Sequence, residues 1–202
     1  RDVKLGTLER SQVDEEYDHL GSHSRAVNRA NEGSVPATSG SEPFTVDLHV
    51  ADDGVGIRLR LAAKNGRRIE GERSTWRWVG NPTVWATELD AAYENHYRTK
   101  TLDSLGSANY GLPLTARVND LYVSITEAAL RDFGDLAVRR GSDGALEGTL
   151  YADPSGWTTD AEVVQPWRVT IIAEDLTTLV NTTLVQNLNP PRDPALGTAD
   201  WI

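Results

Sequence analysis

Cysteine and methionine are both absent from this 202-residue chain. Without cysteine, the protein has no disulfide framework, no thiolate metal site and no cysteine nucleophile. Lysine is scarce as well, because the 20 basic residues include just Lys4, Lys64 and Lys100 as lysines. No apolar run reaches the length needed to cross a bilayer, and residues 1–20 contain no apolar stretch of the kind found in signal peptides, so we expect no membrane insertion.

The charge balance is acidic, with 30 Asp and Glu against 20 Lys and Arg and a formal net charge of -10. Phosphate binding needs a concentrated positive field, so we do not expect nucleic acid as a partner. A hydrophobic fraction of 39% and a charged fraction of 25% are typical of globular proteins. At this length the chain fits one large domain, and we interpret residues 1–202 as a single domain.

The clearest local pattern is an antiparallel hairpin formed by residues 44–50 and 55–61. Apolar and polar residues alternate in both segments, which is typical of half-buried strands. Asp52, Asp53 and Gly54 between them supply the chemistry of a tight turn. We expect the apolar residues of both strands to point inward.

Further strand patterns follow along the chain. Residues 112–118 and 121–126 predict a second hairpin around Asn119 and Asp120, residues 144–151 and 167–172 predict two more strands, and residues 175–188 predict a short, irregular helix. Residues 11–42 are polar, and we interpret them as an extended connection with one irregular strand near Ala26 and Val27. The sequence therefore predicts a mainly antiparallel β-sandwich with little helix.

Glu127 lies where the strand pattern of residues 121–126 stops. The residues after it, Ala128 to Arg131, are helix formers, so the pattern predicts a strand that runs into a helical turn at Glu127. Thr126 would then cap the turn, with Glu127 near its positive end. Alternatively, Glu127 projects from the edge of the fold and serves as a ligand or a catalytic group.

Aromatic residues cluster in the middle of the chain. Trp76, Trp78 and Trp85 lie close in sequence to Tyr93 and Tyr97. Indole rings can stack on the apolar faces of sugars, so the three tryptophans are candidates for substrate binding. Core packing is the alternative, because large aromatic side chains also dominate protein interiors.

Six ordered segments resemble the amino-terminal domain of glycoside hydrolase family 97. They are residues 52–61, 93–97, 113–115, 122–133, 166–172 and the segment from 187–190 through 200–202. Members of this family are α-glucosidases and α-galactosidases, usually exported by bacteria. The resemblance implies a galactose-mutarotase-like β-super-sandwich, followed after Ile202 by a catalytic (β/α)8 barrel. Trp201 and Ile202 would then be buried against a partner or a following domain.

The resemblance also implies a role for Glu127. In the family, the matching glutamate reaches from the sandwich into the active site of the barrel and helps to bind calcium. Calcium takes several hard oxygen ligands, so the remaining ligands would come from the barrel. The catalytic residues would lie there too, and we expect this chain alone to have no glycosidase activity.

Two classes of function follow from these observations. In the first, the chain is the amino-terminal domain of an exported α-glycosidase that acts on an oligosaccharide or α-glycoside, and it packs on the barrel and donates Glu127 to calcium. In the second, it is a stand-alone carbohydrate-binding or interaction module without catalysis.

Overall fold

The residues that the structure describes form antiparallel strands and two short helices. The computed structural model describes residues 2–19, 23–90, 94–191 and 193. Its strands are β1 (Val3–Leu5), β2 (Glu9–Asp18), β3 (Arg25–Ser39), β4 (Glu42–Ala51), β5 (Gly54–Leu61), β6 (Arg67–Ile69), β7 (Thr75–Trp76), β8 (Thr83–Ala86), β9 (Arg98–Thr101), β10 (Leu114–Val118), β11 (Leu121–Ala128), β12 (Leu136–Arg140), β13 (Leu146–Leu150), β14 (Trp157–Thr159), β15 (Val163–Val164) and β16 (Trp167–Ala173). The helices are α1 (Leu176–Asn181) and α2 (Leu184–Asn187), and a single 3-10 turn covers Leu102–Ser104.

One large sheet organises the described residues. Nine of its strands run in the order β1, β3, β4, β5, β16, β11, β10, β8, β9, while β2 pairs with β3 and β15 pairs with β5. A three-stranded sheet has the order β12, β13, β7, and β14 pairs with β6. All pairings between these strands are antiparallel, as the sequence predicts. The last of the described strands, β16, lies in the middle of the large sheet between β5 and β11.

The main core lies between the large sheet and the β12–β13–β7 sheet. We call the side of the large sheet that faces this core the sandwich face; it carries Ile125, Arg168 and Thr170. The buried residues of this core, from both sheets, are Val84, Ala86, Leu102, Leu105, Tyr110, Leu114, Ala116, Ile125, Val138 and Leu146. Two packed sheets with little helix confirm the predicted β-sandwich.

The opposite side of the large sheet, which we call the helix face, is covered in its centre by α1 and α2. The buried residues packed between this face and the helices are Ala128, Trp167, Val169, Ile171, Leu184 and Leu188. Asp175 begins α1 by accepting a hydrogen bond of 2.7 Å from the backbone N–H of Thr178, the usual role of a helix N-cap. The predicted short helix over residues 175–188 is thus two short helices.

The hairpin predicted around Asp52 and Asp53 is confirmed as β4 and β5, but its buried face is not the predicted one. The apolar residues do share one face, where Leu48 pairs with Ile57 and Val50 with Val55. Val50 and Ile57 are nevertheless 46% and 42% exposed. The opposite side is the more buried one, because Trp167, α2 and a network of charged side chains cover it.

A long hairpin near the start of the chain is missing from the sequence prediction. Residues 11–42 do not form an irregular connection, since β2 and β3 pair over ten residues and β3 continues along β4. Its buried positions are the small or polar Ala26, Asn28 and Ala30, so no apolar alternation signals a strand. Charged pairs such as Arg29 with Asp14 stabilise the exposed positions instead.

Some predictions concern residues that the structure does not describe. Tyr93 in the aromatic cluster and the terminal Trp201 and Ile202 lie outside the described residues. Within the described part of the chain, no helix has the length and apolar character needed to span a bilayer.

Candidate functional site

Glu127 lies inside strand β11 and not at the start of a helix. The strand continues to Ala128, and residues 129–135 form bends without helical structure. Ala129 has a φ of 55°, a left-handed conformation that ends the strand. The predicted helical turn with Thr126 as its cap is therefore wrong, because backbone pairing with β16 extends β11 through Ala128 and overrides the helix propensity of the alanines.

The register of the sheet places Glu127 directly opposite Arg168 of β16. The Arg168 Nη1 lies 2.5 Å from the Glu127 Oε2, and the backbone N–H of Leu136 donates a 3.3 Å hydrogen bond to the Glu127 Oε1. The Glu127 side chain is 16% exposed. It is thus held on the sandwich face with a narrow opening to solvent.

Glu72 completes a charged triad with Arg168 and Glu127. The Arg168 Nε donates to the Glu72 Oε1 at 2.6 Å, and Nη2 donates to the other carboxylate oxygen, so the guanidinium binds this carboxylate through two parallel bonds. The side chains of Glu72 and Arg168 are 3% and 4% exposed. Two carboxylates share one guanidinium, so the triad carries one excess negative charge when both acids are ionised.

The surroundings of the triad are aromatic and closely packed. The Arg168 guanidinium lies 5.8 Å from the centre of the Phe133 ring, which meets Trp157 edge-on at 5.0 Å. A Cβ atom on Gly148 would lie 2.9 Å from Leu136, so glycine at this position allows close packing against Leu136 beside the triad. The triad is therefore a built part of the interior and not a chance surface contact.

Burial raises the pKa of Glu127 above its ordinary value, and the negative charge of Asp135 adds to this effect. The charge of Arg168 and the hydrogen bond from Leu136 act in the opposite direction without cancelling the rise. A divalent cation beside Glu127 would favour its ionised form. The excess charge and the accessible carboxylate fit a role as one hard oxygen ligand of such a cation.

A complete metal site is not present in the described part of the chain. No three His, Asp or Glu side chains come together there in a way that would hold an ion. Glu72 is not a spare ligand, because its side chain is 3% exposed and Arg168 binds both of its oxygens. One carboxylate cannot satisfy the six to eight ligands that calcium takes, so any calcium at Glu127 would need ligands from elsewhere.

Sequence reasoning singled out Glu127 as a candidate, which stays a prediction, and missed Arg168 and Glu72, the two residues that form the triad with it. Glu72 is 96 residues away from Arg168 along the chain, and no local pattern connects them. The one available signal was Arg168 itself, a charged residue within the strongly apolar segment from Trp167 to Ile172. A buried cation of this kind needs carboxylate partners, which a sequence pattern alone does not identify.

The structure does not bring the three candidate tryptophans together on one surface. Trp76 and Trp78 pack against the core between the sheets, and the Trp76 Nε1 donates a 3.1 Å hydrogen bond to the Thr170 hydroxyl. Trp85 lies next to the buried Val84 in β8 and therefore points to the other side of the sheet, where its ring lies 6.0 Å from that of Tyr122. The geometry favours packing roles for Trp76 and Trp78.

Comparison with known proteins gives one family and one fold. A family model described as Glycosyl-hydrolase 97 N-terminal matches residues 1–191. No curated protein matches the chain. Solved structures do match, and the three described below are similar to 90–99% of the chain.

Two of these structures come from Pseudoalteromonas sp. strain K8. A glycoside hydrolase family 97 enzyme in complex with acarbose has a TM-score of 0.86 at 23% identity, over 99% of this chain and 32% of that chain. A variant of the enzyme in complex with panose has a TM-score of 0.87 at 24% identity, with the same coverage. A β-arabinopyranosidase has a TM-score of 0.76 at 19% identity, over 90% of this chain and 33% of that one. The chain thus spans about a third of the length of the structures that it matches.

Proposed function

The chain belongs to the family of glycosyl-hydrolase 97 N-terminal domains, and we propose that it acts as the amino-terminal domain of a longer glycoside hydrolase. The observation that carries this proposal is the family match over residues 1–191. It is supported by the similarity to one third of each much longer enzyme. In this proposal the catalytic acid and its partner carboxylate belong to a catalytic barrel of the same polypeptide.

The substrate that we propose is an α-linked glucoside or galactoside, either an oligosaccharide or a simple α-glycoside. Support comes from the similarity to a family 97 enzyme whose structures hold acarbose and panose. The similar β-arabinopyranosidase is a reason to test arabinosides in the same assay. Export from a bacterial cell is part of the proposal, and a signal peptide in the parent coding sequence would support it.

We further propose that Glu127 reaches the active site of the catalytic barrel and supplies one oxygen ligand to a calcium ion. The supporting observations are its partly exposed carboxylate and the excess negative charge of the triad when both acids are ionised. Arg168 would hold the carboxylate in a fixed direction, because it is itself fixed by both oxygens of Glu72. Calcium bound there would supply a positive charge close to the reacting sugar.

The apolar surface beside Glu127 is suited to contact with the catalytic barrel. Glu127, Arg168 and Ile57 lie in one row across adjacent strands. Strands are spaced at about 4.8 Å, so Ile57 lies roughly 10 Å from Glu127. Val50 and Ile172, on the same face, are also more than 40% exposed. A domain that contacts Glu127 would cover this apolar surface as well.

The test uses the parent polypeptide with the nitrophenyl α-glycosides of glucose and galactose and with nitrophenyl β-arabinopyranoside. Hydrolysis by the parent but not by the 202-residue chain is expected, because the chain would lack the reacting acids. Turnover by the purified 202-residue chain would contradict the proposal. So would a parent polypeptide that cleaves no glycoside with or without added calcium.

The calcium proposal has its own variant and control. Glu127→Gln in the parent should weaken calcium binding by about tenfold or more, since a charge pair near a protein surface is worth several kcal/mol at contact distance. Glu9→Gln, an exposed carboxylate of β2, should leave calcium binding unchanged. Equal calcium affinity of wild type and Glu127→Gln would remove Glu127 from the site while leaving the domain assignment intact.

A further inference from the structure

Two aromatic side chains lie on the part of the helix face that belongs to β8, β10 and β11. The inward residues of these strands, among them Val84, Ala116 and Ile125, are buried in the core between the sheets. Successive side chains of a strand point to opposite sides, so Trp85 and Tyr122 point away from that core. Both are partly exposed. The helices α1 and α2 pack on β3, β11 and β16, closer to the centre of the sheet.

The register of the strands arranges the outward side chains in two rows. Each row crosses β9, β8, β10 and β11 in that order. The first row is Thr99, Trp85, Thr115 and Ser124, and the second is Thr101, Thr83, Arg117 and Tyr122. We call these eight residues the Trp85 platform.

The two aromatic rings of the platform approach each other across β10. Trp85 and Tyr122 belong to the strands on either side of β10, and strands are spaced at about 4.8 Å, so the two strands lie roughly 10 Å apart. The ring centres are 6.0 Å apart, and the ring planes differ by 33°, which is nearer to parallel than to edge-on. The pair therefore gives this part of the sheet a continuous aromatic patch.

Hydrogen-bonding groups surround the aromatic pair. Arg117 is exposed, and its guanidinium lies 5.9 Å from the centre of the Tyr122 ring. The hydroxyls of Thr115 and Ser124 bond each other at 2.9 Å, and Thr99 is exposed. A guanidinium only donates hydrogen bonds, whereas hydroxyls both donate and accept. The platform thus offers partners of both kinds to a ligand that is rich in hydroxyls.

The charge of the platform narrows the class of ligand. None of its residues is an acid, although the formal net charge of the chain is -10, and Arg117 is its one basic residue. A polyanion such as a nucleic acid needs a larger positive field than one arginine supplies. A pyranose combines an apolar face, which packs on aromatic rings, with a rim of neutral hydroxyls. A neutral sugar chain therefore matches both parts of the platform.

A protein partner fits the platform less well. Protein interfaces bury about 800 Å² on each partner and have an apolar centre. The apolar part of the sandwich face has this character, because it exposes the aliphatic residues Val50, Ile57 and Ile172. The platform has no aliphatic residue, and hydroxyl groups surround its two rings. The two surfaces are thus suited to different partners.

We propose that the Trp85 platform binds a short α-linked glucan, with the apolar face of a pyranose on the Trp85–Tyr122 pair and a sugar hydroxyl accepting from Arg117. The geometry carries the choice of a neutral sugar chain, and the choice of α-linked glucose rests on the proposed function. The platform shares no residue with the Glu127 triad, which lies on the sandwich face.

The test is calorimetric titration of the full 202-residue chain with maltohexaose, an α-linked glucose oligosaccharide. The indole N–H resonance of Trp85 is followed by NMR in a parallel titration. Saturable binding with a shift of this resonance is the expected result. Absence of saturable binding would overturn the proposal. Dimerisation of the chain that Tyr122→Ala abolishes, without sugar binding, would overturn it too and identify the platform as an interface between copies.

Variants locate the binding site. Trp85→Ala and Tyr122→Ala each remove one ring and should weaken maltohexaose binding by about three- to tenfold, the usual range for one aromatic contact. Arg117→Ala removes an exposed donor and should weaken binding by about tenfold, as expected for a hydrogen bond to a charged group. Because Arg117 is exposed, this variant keeps the test valid if loss of a ring impairs folding.

Val180→Ala is the control, because Val180 is 71% exposed on α1 and lies outside the platform. It should leave the affinity unchanged. Wild-type affinity in all three platform variants would place the sugar elsewhere and contradict the proposal. The domain assignment is tested separately by hydrolysis with the parent polypeptide, so failure of one experiment does not decide the other.

Discussion

Arg168 lies directly opposite Glu127 in the antiparallel pairing of β11 with β16, and the two side chains form an ion pair with an N–O distance of 2.5 Å. The same guanidinium is bound by both oxygens of Glu72. A buried ion pair adds little net stability compared with apolar packing, because both ions lose their hydration. Its effect here is geometric, because Arg168, which is fixed by Glu72, holds the Glu127 carboxylate in one orientation.

Removal of Arg168 should destabilise the fold strongly. Arg168→Met leaves Glu72 and Glu127 buried without a cation, which typically costs about 3–5 kcal/mol. Arg168→Lys should give a smaller loss, because lysine keeps the charge but cannot form the two parallel bonds. Urea unfolding measures both, with Arg98→Ala on an exposed position of β9 as the control, expected within about 0.5 kcal/mol of wild type. A Met variant as stable as wild type would show that the triad does not need its cation.

Glu127 should make stability depend on pH in an unusual direction. Its folded pKa is raised by burial above the ordinary value of 4.5, so the folded state favours the protonated acid. The stability that this group contributes is full below the unfolded pKa and is lost as the pH rises through the folded pKa. The Gln side chain of Glu127→Gln cannot ionise. The unfolding free energy of this variant should therefore rise relative to that of wild type as the pH rises from the unfolded pKa of Glu127 through its folded pKa. Urea unfolding at a series of pH values tests this, and a difference that does not change with pH would refute it.

Asp47 should show the opposite dependence. Burial alone would raise its pKa, but the hydrogen bonds from Arg60 and Arg58 outweigh that effect and hold the pKa below its ordinary value of 3.8. Its contribution is therefore present above the unfolded pKa and is lost as the pH falls through the folded pKa. Asp47→Asn should be less stable than wild type at neutral pH, with the gap closing in acid. The same pH series of unfolding curves measures both variants, and a constant gap would contradict the assigned direction.

Gly56 should tolerate no side chain. A Cβ atom there would lie 2.9 Å from Leu188 and 3.1 Å from Trp167, inside their contact distance. Gly56→Ala should therefore cost about 1–3 kcal/mol through overpacking. Gly106→Ala is the matched control, because its Cβ would have no atom within 4 Å. Thermal unfolding of both variants is the measurement, and equal melting temperatures would show that α2 can move away from the sheet.

The sequence predicted those strands whose apolar alternation is bounded by turn residues. The β4–β5 and β10–β11 hairpins are confirmed, with Asp52 and Asp53 in one turn and Asn119 in the other. Asn119 has a φ of 56°, a conformation that asparagine tolerates better than most residues. Such signals are local, so a sequence pattern contains them.

Features that depend on pairing between distant segments could not be predicted. The β2–β3 hairpin buries alanine and asparagine, so it has no apolar alternation. Its strands can be recognised only from charged residues that pair across them, and this pairing is visible only in the structure. Which face of β4 and β5 is covered depends on Trp167 and α2, over 100 residues later in the chain. The partners of Glu127 depend on the same long-range register. The sequence made Glu127 a candidate, but the residues that surround its side chain could be identified only from the folded structure.

The position of β16 has a consequence for synthesis of the protein. The ribosome makes this strand more than 100 residues after β5, yet it lies between β5 and β11 and joins the two halves of the large sheet. Until Trp167 to Ala173 emerge, each half exposes an unpaired strand edge, which is a template for pairing with other chains. Completion of the large sheet must therefore wait for β16, and the interval before this strand arrives is when misassembly is the greatest hazard.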